Sequence, residues 1–186
     1  MPDSSPSHLL SWLRLCRAPN VFTALADVSM GFLVVRRATD EIGVDEIGGF
    51  ACLAAASACL YTAGMVLNDV FDVDIDRKER PFRPLPSGQI GLTTATVFGF
   101  GLLLVGILLG AASGYVILGK HALEVPWRGG AIALLLAGCV LLYDGFLKMT
   151  PLGPLGMGLC RFFNVLLGMS AASFAPGPVG LLFYQP

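Results

Sequence analysis

Between Asn68 and Gly91 the chain reads N-D-V-F-D-V-D-I-D-R-K-E-R-P-F-R-P-L-P-S-G-Q-I-G. Four aspartates are followed at once by four cations, Arg77, Lys78, Arg80 and Arg83, in a chain that is otherwise nearly uncharged. On a helix, Asp69, Asp72 and Asp76 lie at i, i+3 and i+7 and share a face, Asn68 lies on its edge, and Asp74 points away. Three carboxylates in two turns repel one another unless something offsets their charge. Mg²⁺ does so with oxygen ligands and keeps positions open for water and substrate phosphates, so a diphosphate could complete its shell. The arginines that follow suit bidentate phosphate binding.

The elements that must position this run are membrane helices. The 186 residues are 55% hydrophobic and 13% charged, about half the ~25% charge of a soluble domain. A net charge of -1 argues against nucleic acid as a partner. The five cysteines, Cys16, Cys52, Cys59, Cys139 and Cys160, form no C-x-x-C pair and read as small apolar residues. The expected architecture is all-α, a polytopic bundle of about five spanning helices over 18–35, 49–70, 92–118, 129–147 and 150–175. Residues 18–186 form one transmembrane domain. Residues 1–17 are a polar tail plus an amphipathic helix in the membrane interface, with Leu9, Leu10, Trp12, Leu13 and Cys16 on one side and Ser11 and Arg14 opposite. Glycines at 99, 101, 106, 110 and 114 permit close packing of the third span. Asp27 and Arg161 lie inside spans and each needs a cavity or a partner; for Arg161 this is Asp144, Asp27 or a phosphate. The last apolar run, 179–184, is too short to cross a bilayer, which takes ~20 residues.

The run N-D-x-x-D-x-x-x-D, continued by D-R-x-x-R-P-x-R-P-L-P-S-G, closely resembles the first aspartate-rich motif of the UbiA-type intramembrane prenyltransferases. Asn68, Asp69, Asp72 and Asp76 fall on the motif; Arg77, Arg80, Arg83, Pro84, Pro86, Ser87 and Gly88 fall on its trailing loop. Tyr143 and Lys148 resemble a second element of the family, whose lysine contacts the diphosphate. The resemblance implies a first half of a nine-helix ring around a central cavity. It also implies Mg²⁺-dependent transfer of an isoprenyl group from a polyprenyl diphosphate to an acceptor, often aromatic. The implied metal set is Asn68, Asp69, Asp72 and Asp76. Asp69, Asp72 and Lys148 are the implied catalytic residues, and Asn20, Arg77, Arg80, Arg83, Tyr143, Lys148 and Asn164 line the diphosphate site or cavity. The trailing loop is also reminiscent of the UbiA-like members called EboC. The family carries a second aspartate-rich motif, whereas no Asp or Glu follows Lys148 here. The expectation is therefore a fragment, or a chain completed by a missing C-terminal half.

Two other functions compete with the enzyme: membrane transport along Asp27, the stripe and Arg161, and a non-catalytic scaffold. A transporter places its acids near the bilayer midplane, whereas three of these gather at a helix end beside arginines. With the N-terminus inside, seven cations (Arg14, Arg17, Arg77, Lys78, Arg80, Arg83, Lys148) lie inside and four (Arg36, Arg37, Lys120, Arg128) outside. The positive-inside rule thus favours a cytoplasmic N-terminus and aspartate run, in a bacterial inner membrane.

Overall fold

The computed structural model describes residues 8–35, 44–116 and 125–171. Of the polar loop expected at 36–48, residues 36–43 lie outside them, as do His121 and the turn and apolar run after 175, whereas residues 44–48 are helical instead of loop. Helix α1 (His8–Leu15) leads through a 3-10 turn (Ala18–Asn20) into α2 (Val21–Val35). Then follow α3 (Val44–Phe71), α4 (Val73–Glu79), α5 (Leu92–Val116) and α6 (Arg128–Gly145). A second 3-10 turn (Leu147–Met149) precedes α7 (Gly153–Met169). No strand occurs among the described residues.

Helix α3 is the central post: α2, α5, α6 and α7 all pack on it. The core between these helices contains Val28, Leu53, Leu60, Leu67, Leu103, Leu136 and Leu167. Leu33, Leu104, Leu108, Leu134 and Leu155 point outward. Helices that are apolar on the outside as well as the inside are those of a membrane protein, because lipid leaves no reason to hide them. Four described helical stretches are long and apolar enough to cross: Ala18–Val35, Glu46–Phe71, Leu92–Val116 and Arg128–Gly145. The fifth expected span is described only as the 17-residue α7, at the lower limit for a span. Among the described residues four stretches therefore meet the length of a span.

Close approach explains the glycines of α5. A Cβ on Gly99 would sit 2.8 Å from Leu67, and one on Gly106 2.7 Å from Leu60, both on α3. Gly110 is set against Ala133 and Gly129 of α6, and Gly114 against the Pro126 carbonyl. Gly101 faces open space, against expectation, because it lies off the face shared by the others. Helices α2 and α7 cross through a reciprocal pair: Gly31 abuts the Val165 carbonyl and Gly168 abuts the Val28 carbonyl.

Helix α1 turns its polar serine, not its first three leucines, to the rest of the chain. Ser11 and Leu15 are buried, while Leu9, Leu10 and Leu13 are exposed. The reason is a polar partner on the protein side: Ser11 Oγ donates to Gln89 Oε1 at 2.6 Å. Trp12 packs edge-on against Phe98, and Leu15 joins a small core with Val66, Val73, Leu85 and Ile90. The helix therefore clamps the loop after α4, with three leucines left facing outward.

Candidate functional site

Helix α3 ends at Phe71 and α4 starts at Val73, with Asp72 at the break. Both the Asn68 carbonyl and the Asp72 carbonyl still accept i+4 amide bonds across it, so the aspartates keep helical spacing. The following loop is compact. Ser87 N–H donates to the Arg83 carbonyl and Ile90 N–H to the Pro84 carbonyl. Gly88 takes φ 75°, a left-handed value that disfavours any side chain. This folding returns Arg83 to the aspartates.

The shared stripe is divided among cations. Asp69 is buried and accepts from Arg17 at 2.9 Å and from Arg83 at 3.4 Å. Asp76 is buried and accepts from Arg83 at 2.6 Å, with Arg80 at 3.9 Å. Asp72 remains partly open and meets Lys148 Nζ at 2.7 Å. The same ammonium donates to Asn68 Oδ1 at 3.2 Å, and Asn68 Nδ2 donates to Asp72 at 3.4 Å. Residues 80 positions apart thus meet because the turn after α6 brings Lys148 over the end of α3. Arg77 pairs outward with the exposed Asp74 at 2.7 Å.

Beside this cluster lies a cavity of about 390 Å³ between α2, α3, α6 and α7. Asn20, Asn68, Tyr143 and Asn164 line it, as expected, whereas Asp69, Asp72, Asp76, Arg77, Arg80, Arg83 and Lys148 are not among its lining residues. Asp72 and Lys148 reach its edge through Asn68. Its apolar lining includes Leu60, Met65, Leu136, Val140 and Met157. Deeper, Arg161 forms a two-pronged pair with Asp27 at 2.8 and 3.1 Å, which identifies the partner each needed. Asn164 fastens helices together: its Nδ2 donates to the Ala24 carbonyl at 2.9 Å, and its Oδ1 accepts from Ser57 at 2.7 Å.

Among the described residues no three acidic, histidine or cysteine side chains gather as a metal site. Asp69 and Asp76 are paired with arginines in this arrangement. Asn68 and Asp72 still present adjacent oxygens at the cavity edge. Those fit a Mg²⁺ ion that takes one or two protein oxygens and completes its shell with phosphates and water.

Two cavity residues escaped the sequence reading of the site. Arg17 adopts φ 46°, an uncommon value for a residue with a side chain, and it both lines the cavity and holds Asp69. No spacing rule flags such a backbone. Asp144 lines the cavity and is 3% exposed. Its signal in the sequence was an acid inside an apolar helix, read only as an alternative partner for Arg161.

Fold and composition define an integral membrane protein of the all-α class. The sequence pattern of the UbiA prenyltransferase family matches residues 29–185, and the chain belongs to that family. It is 32% identical over 173 residues to the digeranylgeranylglyceryl phosphate synthase of Ignicoccus hospitalis, covering 92% of this chain and 50% of the relative. The synthase of the same name from Saccharolobus solfataricus is 33% identical, over 76% of this chain and 44% of its own length. Homogentisate geranylgeranyltransferase of Hordeum vulgare is 24% identical, over 72% of this chain and 36% of its own. A solved structure described as giving insights into digeranylgeranylglyceryl phosphate synthase in membranes superposes with a TM-score of 0.72 at 28% identity, over 90% of this chain and 55% of the other. The chain spans about half the length of the curated relatives it matches.

Proposed function

We propose that this chain supplies the donor-binding half of a Mg²⁺-dependent prenyl transfer, in which a polyprenyl diphosphate alkylates a membrane-soluble acceptor. The observation that carries this reading is the meeting of Lys148, Asp72 and Asn68 at the edge of a cavity with apolar walls. A diphosphate has the charge to draw Lys148 from Asp72, and the isoprenyl tail suits the wall of Leu60, Leu136 and Val140. Asn68 and Asp72 would hold Mg²⁺, which when bound neutralises charge developing on the leaving diphosphate. Lys148 adds hydrogen bonds to that same charge. Arg17, Arg80 and Arg83 act around the site by holding Asp69 and Asp76 in place. The allylic C–O bond breaks with its electrons going to the diphosphate, the walls exclude water, and the acceptor bonds to the freed carbon as its proton passes to the released diphosphate.

The relatives' names point to two acceptor types, a prenylated glyceryl phosphate and an aromatic acid. We favour the first, because the relatives of that name reach 92% coverage of this chain. Arg161 lines the cavity with its side chain 67% exposed, so the wall is open on that flank. The further length of the relatives supports additional helices closing that wall in the active unit. The positive-inside balance supports a cytoplasmic diphosphate site.

The test is Mg²⁺-dependent binding of geranylgeranyl thiolodiphosphate to the chain in lipid nanodiscs. Asp72→Ala and Lys148→Ala should each weaken it about tenfold or more, the effect of losing a hydrogen bond to a charged group. Unchanged binding in both would remove the reading.

A further inference from the structure

Two aspartates line the cavity, and their situations differ. Asp27 is satisfied by Arg161. Asp144 is 3% exposed, and its Oδ2 is buried with no hydrogen-bond partner among the described residues. It stands in the last turn of α6, directly after Tyr143 and opposite Gly64 of α3. Even a Cβ added at Gly64 would lie 3.9 Å from Oδ2. No side chain at position 64 therefore comes between the carboxylate and α3.

A buried carboxylate oxygen without a donor costs stability. It is an acceptor left open for a ligand. Three donor classes can fill it. The metal ion of the proposed reaction is already assigned to Asn68 and Asp72 at the cavity edge, so it does not call on this oxygen. A cationic ligand would meet Lys148 and Arg17, which already bring positive charge to this end of the cavity. A neutral hydroxyl meets neither objection. The terminal torsion of aspartate is broad, so either oxygen can turn toward the cavity.

We propose that Asp144 is the acceptor-binding residue, taking a hydrogen bond from an alcohol on the acceptor and so aiming that oxygen at the donor's allylic carbon. This deepens the prenyl-transfer reading and rests on it. It favours an acceptor whose nucleophile is a hydroxyl.

The experiment uses the full chain in lipid nanodiscs with Mg²⁺ and geranylgeranyl thiolodiphosphate. The acceptor probes are geranylgeranylglyceryl phosphate and its O-methyl ether, which lacks the donor hydrogen. The parent should bind the alcohol about tenfold or more tightly than the ether. Asp144→Leu should erase that preference, leave donor affinity within about twofold, and raise the thermal midpoint, because it removes an unpaired buried polar group. Asp144→Asn, which preserves shape, should weaken the preference and still fold. A parent that binds donor but shows no preference for the alcohol overturns the assignment. So does a preference undiminished in either variant, or a lowered midpoint in both, which would mark a purely structural aspartate. Failure of the parent to bind donor overturns the prenyl-transfer reading itself, and this inference with it.

Discussion

At the scale of single residues, the aspartate run separates into two jobs. Asp69 and Asp76 are buried against Arg17 and Arg83, whereas Asp72 stays partly open against Lys148. Helical spacing showed that these acids share a face, and it held. It could not show that Arg83 would fold back onto them, because that depends on a loop closed by Pro84, Ser87 and a left-handed Gly88. The same limit hid Arg17, which reaches Asp69 from 52 positions away through a strained backbone. A buried acid whose loss strands a partly buried arginine is expensive to remove. Asp76→Ala should therefore destabilise the chain by about 3 kcal/mol, measured by denaturation in mixed micelles. Arg77→Ala should leave both stability and diphosphate binding unchanged, since its partner Asp74 is on the outer surface.

At the scale of elements, apolar length located the helices, and glycine spacing located one of the close crossings. The α3–α5 contact was legible as repeated glycines on α5, although Gly101 proved to be off the packed face. The α2–α7 crossing was not, because Gly31 is a lone glycine in α2, Gly168 stands apart from Gly153, Gly156 and Gly158 in α7, and the two become a pair only when the helices meet. Gly168→Ala should force backbones apart and cost about 1–3 kcal/mol. Gly101→Ala should be tolerated and add about 0.5–1 kcal/mol of helix stability. Thermal unfolding of the two variants, side by side, checks both signs. That crossing also brings Arg161 to Asp27. A double-mutant cycle with Asp27→Asn and Arg161→Gln should give a coupling of about 1 kcal/mol, each single change hurting and the second costing less in the presence of the first. In helix α1 a serine bonded to Gln89 fixes which side meets the bundle and leaves Leu9, Leu10 and Leu13 outward.

At the scale of the molecule, the bundle presents a charged cluster beside an apolar-walled cavity that is open at Arg161. Membership of the family and the helical membrane class were legible from 24 residues and the hydropathy. The division of the acids between structural arginines and the site was not, since it arises from three distant segments converging on the end of α3. The central claim is that Asp72 and Lys148, not the whole aspartate run, grip the donor. Its most direct test is the affinity for geranylgeranyl thiolodiphosphate with and without Mg²⁺, in nanodiscs, for the parent, Asp72→Ala, Lys148→Ala and Arg77→Ala. The account predicts Mg²⁺-dependent binding in the parent and Arg77→Ala, and at least a tenfold loss in the other two. Equal affinity across all four proteins, or binding indifferent to Mg²⁺, would contradict it.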